Sequence, residues 1–94
     1  MSNPEINLIG TKRWYNDNIK LHRLDGPAVI WADSDREWYV NGQLHREDGP
    51  AREWSNGRRS YYINDQLLTE DEWIAHPLRI EYVIRENLKS ILHD

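Results

Sequence analysis

Two stretches of the chain set out the same titratable and guanidinium groups at the same spacing. His22, Arg23 and Asp25 fall in His22-Arg23-Leu24-Asp25-Gly26-Pro27-Ala28; His45, Arg46 and Asp48 fall in His45-Arg46-Glu47-Asp48-Gly49-Pro50-Ala51. A histidine close to a carboxylate is a usable general base, and the pattern invites an acid–base or phosphodiester-cleaving reading. Against it, a catalytic group is needed once per site, whereas these come once per copy. No Gly-rich phosphate loop, nucleophile elbow or HExxH zinc motif accompanies them. The four histidines, at 22, 45, 76 and 93, lack metal-ligand spacing, and the absence of cysteine removes thiolate sites. The residues therefore point away from an enzyme, and no metal or cofactor is expected.

Two other uses of the same groups remain. Arg23 and Arg46 beside Trp or Tyr faces suit a phosphate-bearing small ligand such as a nucleotide, by stacking and bidentate hydrogen bonds. Alternatively the heptapeptide is a turn, repeated because its geometry repeats. Asp25 and Asp48 would accept backbone N–H groups two residues on, glycine would take φ values closed to other residues, and proline would fix the exit. Each arginine then pairs with the carboxylate two residues away.

The elements that position these corners recur with a period of 23 residues. Trp31 falls on Trp54, Arg36 on Arg59, Trp38 on Tyr61, Tyr39 on Tyr62, Asn41 on Asn64 and Gln43 on Gln66. A fixed period of this length marks a supersecondary unit stacked on copies of itself. Arg36 to Val40 reads as a strand, and Asn41-Gly42 supplies the two positive-φ residues of a type I′ hairpin turn. Gln43 to His45 returns, Ala51 to Trp54 is a further short strand, and Ser55-Asn56-Gly57 turns it into Arg58 to Ile63. Asn64-Asp65 takes the place of Asn-Gly. Trp14 to Asn18 is the end of an earlier, irregular copy, with two extra residues before His22. Ile6 and Leu8 alternate as an edge strand would. Side chains alternate across a strand, so Trp38 and Tyr39 face opposite ways, as do Tyr61 and Tyr62. One of the two rows is expected to be exposed.

The third copy stops the array. Where His45, Arg46 and Gly49 stood, it has Leu68, Thr69 and Glu72. Thr69 reads as an N-cap, Glu72 as its capping-box partner, and Leu68 with Trp73 as a hydrophobic staple. A short helix over 70–76 is expected, then a second over 78–92 with Pro77 at its start. Ile80, Val83, Ile84, Leu88, Ile91 and Leu92 form its apolar stripe, and Glu81 and Arg85 an i,i+4 pair. The stripe is assigned mainly to packing within the chain.

Ninety-four residues with 38% hydrophobic content suit one domain, 1–94, with a modest core. Hairpin repeats occupy 11–68 and a helical cap 69–94. A mean hydropathy of -0.90 would lean toward disorder. Instead five Trp and five Tyr recur in register, which marks a folded protein. With no Phe present, the aromatic content lies in residues that bury area yet keep a polar tip. A net charge of -4 disfavours an electrostatic grip on nucleic acid. The first ten residues lack a signal-peptide pattern, and no apolar run reaches membrane-spanning length, so a cytoplasmic protein is expected. So short an array also favours a homo-oligomer, through an open sheet edge or the helical stripe.

Trp-x-Asn-Gly-type hairpins separated by His-and-Gly corners resemble the MORN repeat over about residues 14 to 68. The closer likeness is to the variant arrays bearing His-Arg-x-Asp-Gly-Pro-Ala in bacteriophage and giant-virus proteins. The ordinary repeat has a shorter His-Gly-x-Gly where this chain has His45 to Ala51. The resemblance implies a single-layer antiparallel sheet used for protein contact, and a host-directed or anti-defence role by analogy. The fold expected is thus α+β, repeated hairpins capped by two C-terminal helices. The function expected is non-enzymatic protein binding, with sequestration of a phosphate-bearing ligand as the alternative. The surface would be built from His22, Arg23, Trp38, Tyr39, His45, Arg46, Tyr61 and Tyr62.

Overall fold

The computed structural model describes residues 3–92; His93 lies outside them. Nine short strands precede two helices among the described residues. They are β1 (Glu5–Ile6), β2 (Lys12–Arg13), β3 (Val29–Ile30), β4 (Arg36–Glu37), β5 (Tyr39–Val40), β6 (Gln43–Leu44), β7 (Arg52–Glu53), β8 (Arg59–Ile63) and β9 (Gln66–Leu68). The helices are α1 (Glu70–Ile74) and α2 (Pro77–Leu92). Seven strands form one antiparallel sheet in the order β1-β2-β3-β4-β7-β8-β9, and β5 pairs with β6 beside it. The α+β architecture of hairpins followed by two helices is therefore present.

The long strand expected over Arg36 to Val40 is broken at Trp38. Its first half, β4, pairs with β3 and β7, while its second half, β5, turns away to pair with β6. The Trp38 N–H donates to the Ala51 carbonyl at 2.8 Å, as Trp14 N–H does to the Ala28 carbonyl at 2.8 Å. Each tryptophan is thus the hinge between the two pairings. Ala28 and Ala51 are fully buried at these contacts, which explains the small residue closing each heptapeptide.

The turns follow the sequence. Asn41 and Gly42 have φ of 50° and 83°, and Asn64 and Asp65 have 48° and 68°. Asp65 sits in the left-handed region, and its carboxylate accepts Leu44 N–H at 2.8 Å. The extra residues of the first copy make a wider loop, in which Asn16 Oδ1 accepts from Asn18 N and Lys20 N. Leu8 lies in the turn after β1, so only Glu5 and Ile6 of the expected edge segment pair.

Between β4 and β7 the register sets Arg36 against Glu53 and Glu37 against Arg52. Both pairs close, at 2.9 and 3.1 Å. A slip of one residue would set like charges against each other, so these pairs specify register more than they add stability. The core is thin: Val29, Leu44, Ile63 and Trp73 are its larger buried apolar residues.

Thr69 caps α1 with the full capping box. Its hydroxyl accepts Glu72 N–H at 3.1 Å, and Glu72 Oε1 accepts Thr69 N–H at 2.8 Å. The helix is shorter than expected, ending at Ile74. His76 then opens α2, its Nδ1 accepting Leu78 N–H at 3.1 Å, with Pro77 as the first helical residue. Arg85 reaches Glu47 at 3.4 Å rather than the expected Glu81. The stripe of α2 is not packed inside the fold either: Ile80, Ile84, Leu88, Ile91 and Leu92 are exposed. Leu78, Arg79, Tyr82 and Val83 make the half-buried side instead.

Candidate partner-binding groove

Each heptapeptide folds into the same corner. The main chain fixes it first: Arg23 N–H donates to the Tyr39 carbonyl at 3.1 Å, and Arg46 N–H to the Tyr62 carbonyl at 3.2 Å. The histidines tie the corner to the next hairpin turn. Asn41 N–H donates to His22 Nδ1 at 2.9 Å, and Asn64 N–H to His45 Nδ1 at 3.1 Å. A ring that accepts at Nδ1 carries its proton on Nε2 when neutral. In His45 that second nitrogen meets Glu47 at 2.9 Å. The lone pair a general base would use is therefore taken in both copies.

The arginines are folded back over the tryptophans. Arg23 lies over the Trp14 ring at 3.9 Å, and Arg46 over Trp38 at 3.8 Å. Arg23 Nε donates to Asp25 at 2.9 Å and its Nη1 to the Pro27 carbonyl at 3.2 Å. Arg46 repeats this with Asp48 at 2.7 Å and Pro50 at 3.0 Å, and adds Glu53 at 3.2 Å. The guanidinium of Arg23 holds the Asp25 carboxyl below the usual carboxylate range, chiefly through that hydrogen bond.

Two parts of the expected corner chemistry are corrected. The aspartates do not accept an N–H two residues on, because that residue is proline and has none. Nor do Gly26 and Gly49 adopt positive φ. They are glycines for space: a Cβ would sit 2.9 Å from the Arg23 guanidinium carbon, and 2.7 Å from that of Arg46.

The third copy keeps a covered aromatic ring and changes its lid. Tyr61 occupies the place of Trp14 and Trp38, and Trp73 of α1 covers it at a centroid distance of 4.9 Å. Trp73 Nε1 also donates to the Arg46 carbonyl at 2.9 Å. An indole thus replaces the guanidinium where the array ends.

Between the two corners lies a groove of about 520 Å³. Arg23, Leu24, Asp25 and Gly26 form one wall, and His45, Arg46, Glu47 and Asp48 the other, with Trp38 and Val40 among the lining. Tyr82 of α2 joins them. Leu24 is 80% exposed, an aliphatic side chain presented on the rim. Burial raises the Tyr82 hydroxyl above its usual range, and the Asp48, Glu86 and Glu47 charges push it further.

The structure brings His45, Arg46, Arg23 and Trp38 together at this groove. His22 stays at the Asn41 turn, and Tyr39, Tyr61 and Tyr62 do not line the groove. No fully exposed aromatic row forms, since Trp38, Tyr39, Tyr61 and Tyr62 are all half-buried. The Tyr39 hydroxyl donates to Glu37 at 3.2 Å, and burial followed by that carboxylate's charge raises it above its usual range. Sequence reasoning missed Leu24, Glu47 and Tyr82. Glu47 carries a signal in hindsight, as an acid at the variable position of the motif; Tyr82 carries none, lying off the apolar stripe of α2.

Among the described residues no cluster of three or more His, Asp or Glu is arranged to hold a metal ion, and no helix is long and apolar enough to cross a membrane. Comparison with family profiles, curated proteins and solved structures gave no match.

Proposed function

We propose that this chain is a non-enzymatic module that recognises another protein through the groove between its two corners. One observation carries the reading: both guanidinium groups are already occupied, each by a tryptophan face, a carboxylate and a proline carbonyl. A side-on bidentate grip on an anion uses Nε, so it would have to displace Asp25 or Asp48 and loosen the corner. This weighs against the phosphate-bearing ligand. What the groove offers without rearrangement is a half-apolar wall, Leu24, Val40, Trp38 and Tyr82, within a rim of hydrogen-bonding groups. Interfaces with proteins are built this way. The likeness to viral repeat arrays adds, by analogy only, a host protein as the partner and a defence-blocking role.

The test uses two surface changes that leave the corners intact. Leu24→Glu should abolish partner capture from host lysate while the melting temperature moves little, and Tyr82→Ala should abolish it with a lower melting temperature as well, since Tyr82 is half-buried on the inward side of α2. Calorimetry against a panel of nucleotides runs alongside. Tight nucleotide binding lost in Arg46→Ala, with no partner retained, would hand the site to the small-ligand reading. Turnover dependent on His22 or His45 would overturn both.

A further inference from the structure

Within each corner the two charges of the ion pair are unequally placed. The Arg23 side chain is 24% exposed and that of its partner Asp25 85%; Arg46 is 18% exposed and Asp48 53%. Each guanidinium lies down over a tryptophan, and its carboxylate stands out on the wall of the groove. The arginine Nε takes Oδ1 of each aspartate, and Oδ2 accepts from no other side chain among the described residues. Of the cations on the flanking elements, Arg36 is paired with Glu53, Arg85 with Glu47 and Lys89 with Glu86, and Arg79 lies over Trp73. The pairs sum to neutral, but what the two walls turn toward solvent is negative. The Tyr82 hydroxyl feels the same sign: once burial has raised it, Asp48, Glu86 and Glu47 raise it further, against Lys89.

The lining between these carboxylates is partly aliphatic, with Leu24 and Val40. Lys and Arg are the side chains that match both parts, a methylene stem that covers apolar surface and a charged head that stays wet. The spacing is set by the strands. Arg23 bonds to Tyr39, and Tyr39 pairs with Leu44, so the two corners leave the sheet two strand steps apart, about 9–10 Å. We infer that the protein segment held in this groove is basic, presenting two Lys or Arg side chains about 9–10 Å apart to Asp25 and Asp48, with their stems along Leu24 and Val40. This rests on the groove as the contact surface and adds the chemistry of what fills it. An acidic segment would meet the outward carboxylates before it reached either guanidinium. A wholly apolar one would strip water from two charges and return nothing to them.

Display of a random peptide library against the full chain should enrich peptides that carry two Lys or Arg residues. Fluorescence polarisation with the strongest of them should show an affinity that falls with salt, and that is weaker by about tenfold in Asp25→Asn/Asp48→Asn. The amide keeps an oxygen for each arginine Nε, so the corners should hold, which a melt at neutral pH checks. Should the double variant lose its fold, Asp25→Asn alone, at the more exposed carboxylate, carries the test with a smaller loss. Asp17→Asn/Asp33→Asn makes the same change of charge at exposed positions outside the groove and should leave the affinity unchanged. Leu24→Ala reports on the groove itself, removing the aliphatic contact without adding charge. Peptides without basic residues that are lost in Leu24→Ala overturn the inference and leave the groove standing. So do basic peptides that need Leu24 but are insensitive to Asp25 and Asp48, or are weakened equally by the control pair. Peptides indifferent to both Leu24 and Tyr82, or none enriched at all, sink the inference and the groove together.

Discussion

At the scale of single residues, the corner shows why composition alone misassigns a glycine. Gly49 reads as a conformational necessity in the sequence, and its backbone is ordinary; what it supplies is room for the Arg46 guanidinium. Arg46 cannot swing aside freely, being held by Asp48, Pro50, Glu53 and the Trp38 face. Gly49→Ala should therefore destabilise by about 1–3 kcal/mol. In Arg46→Ala the added methyl has nothing to strike, so the double variant should lose less than the sum of the singles. Urea melts of the four proteins decide it, and strict additivity would deny the contact. Gly57 is the opposite case: open space around it but a φ of 93°, so Gly57→Ala costs through backbone strain, whatever happens at Arg46. The Arg–Asp pair was legible because two residues fix the reach. The histidine contacts to Asn41 and Asn64 were not, since they join groups 19 residues apart. Asp25 gives the pH dependence. Its folded pKa lies below the unfolded one, so its contribution is present above the unfolded carboxylate range, about pH 4. It is lost as pH falls through the folded value. Asp25→Asn should remove that part of the acid-side loss in melting temperature while leaving the neutral-pH sheet intact.

At the scale of elements, the legible parts are those decided within a few residues. Hairpin turns were readable because Asn-Gly and Asn-Asp favour left-handed backbone locally, and the start of α1 because Thr69 and Glu72 satisfy each other's N–H groups. Thr69→Ala should cost on the order of 1 kcal/mol, read as a lower melting temperature with the strand signal retained. An unchanged melt would mean that Trp73 alone fixes the helix. The break of the expected strand at Trp38 was hidden, because it depends on which strands flank each half. β4 finds β3 and β7, while β5 finds β6. The orientation of α2 was hidden for the same reason. An apolar stripe does not say which side of the helix the sheet will take, and the side turned inward carries Leu78, Tyr82 and Val83, of which only Val83 belongs to the stripe.

For the whole molecule, the question is how a thin array ends without a large core. Each copy lays a flat cation over an aromatic ring: Arg23 on Trp14, then Arg46 on Trp38. The last copy has no arginine at the equivalent place, and Trp73 fills it by packing at a 40° tilt against Tyr61 and donating to the Arg46 carbonyl. One side chain thereby closes the sheet, anchors α1 and ties the cap to the second corner. Its ring is among the few large apolar groups that are buried at all. Trp73→Ala should cost about 3–5 kcal/mol, a large share of the stability a domain of this size has. Trp73→Phe keeps an aromatic lid but leaves the Arg46 carbonyl without its donor, and should cost less. The two variants separate closure by aromatic packing from closure by the hydrogen bond. Equal losses would place the weight on the indole N–H, and a near-silent Trp73→Ala would mean that the array is stable without its helical lid. Hydrogen exchange gives the spatial check: in Trp73→Ala, amides of β8 and β9 should lose protection before those of β2 and β3, because the sheet opens from the end that has lost its cover.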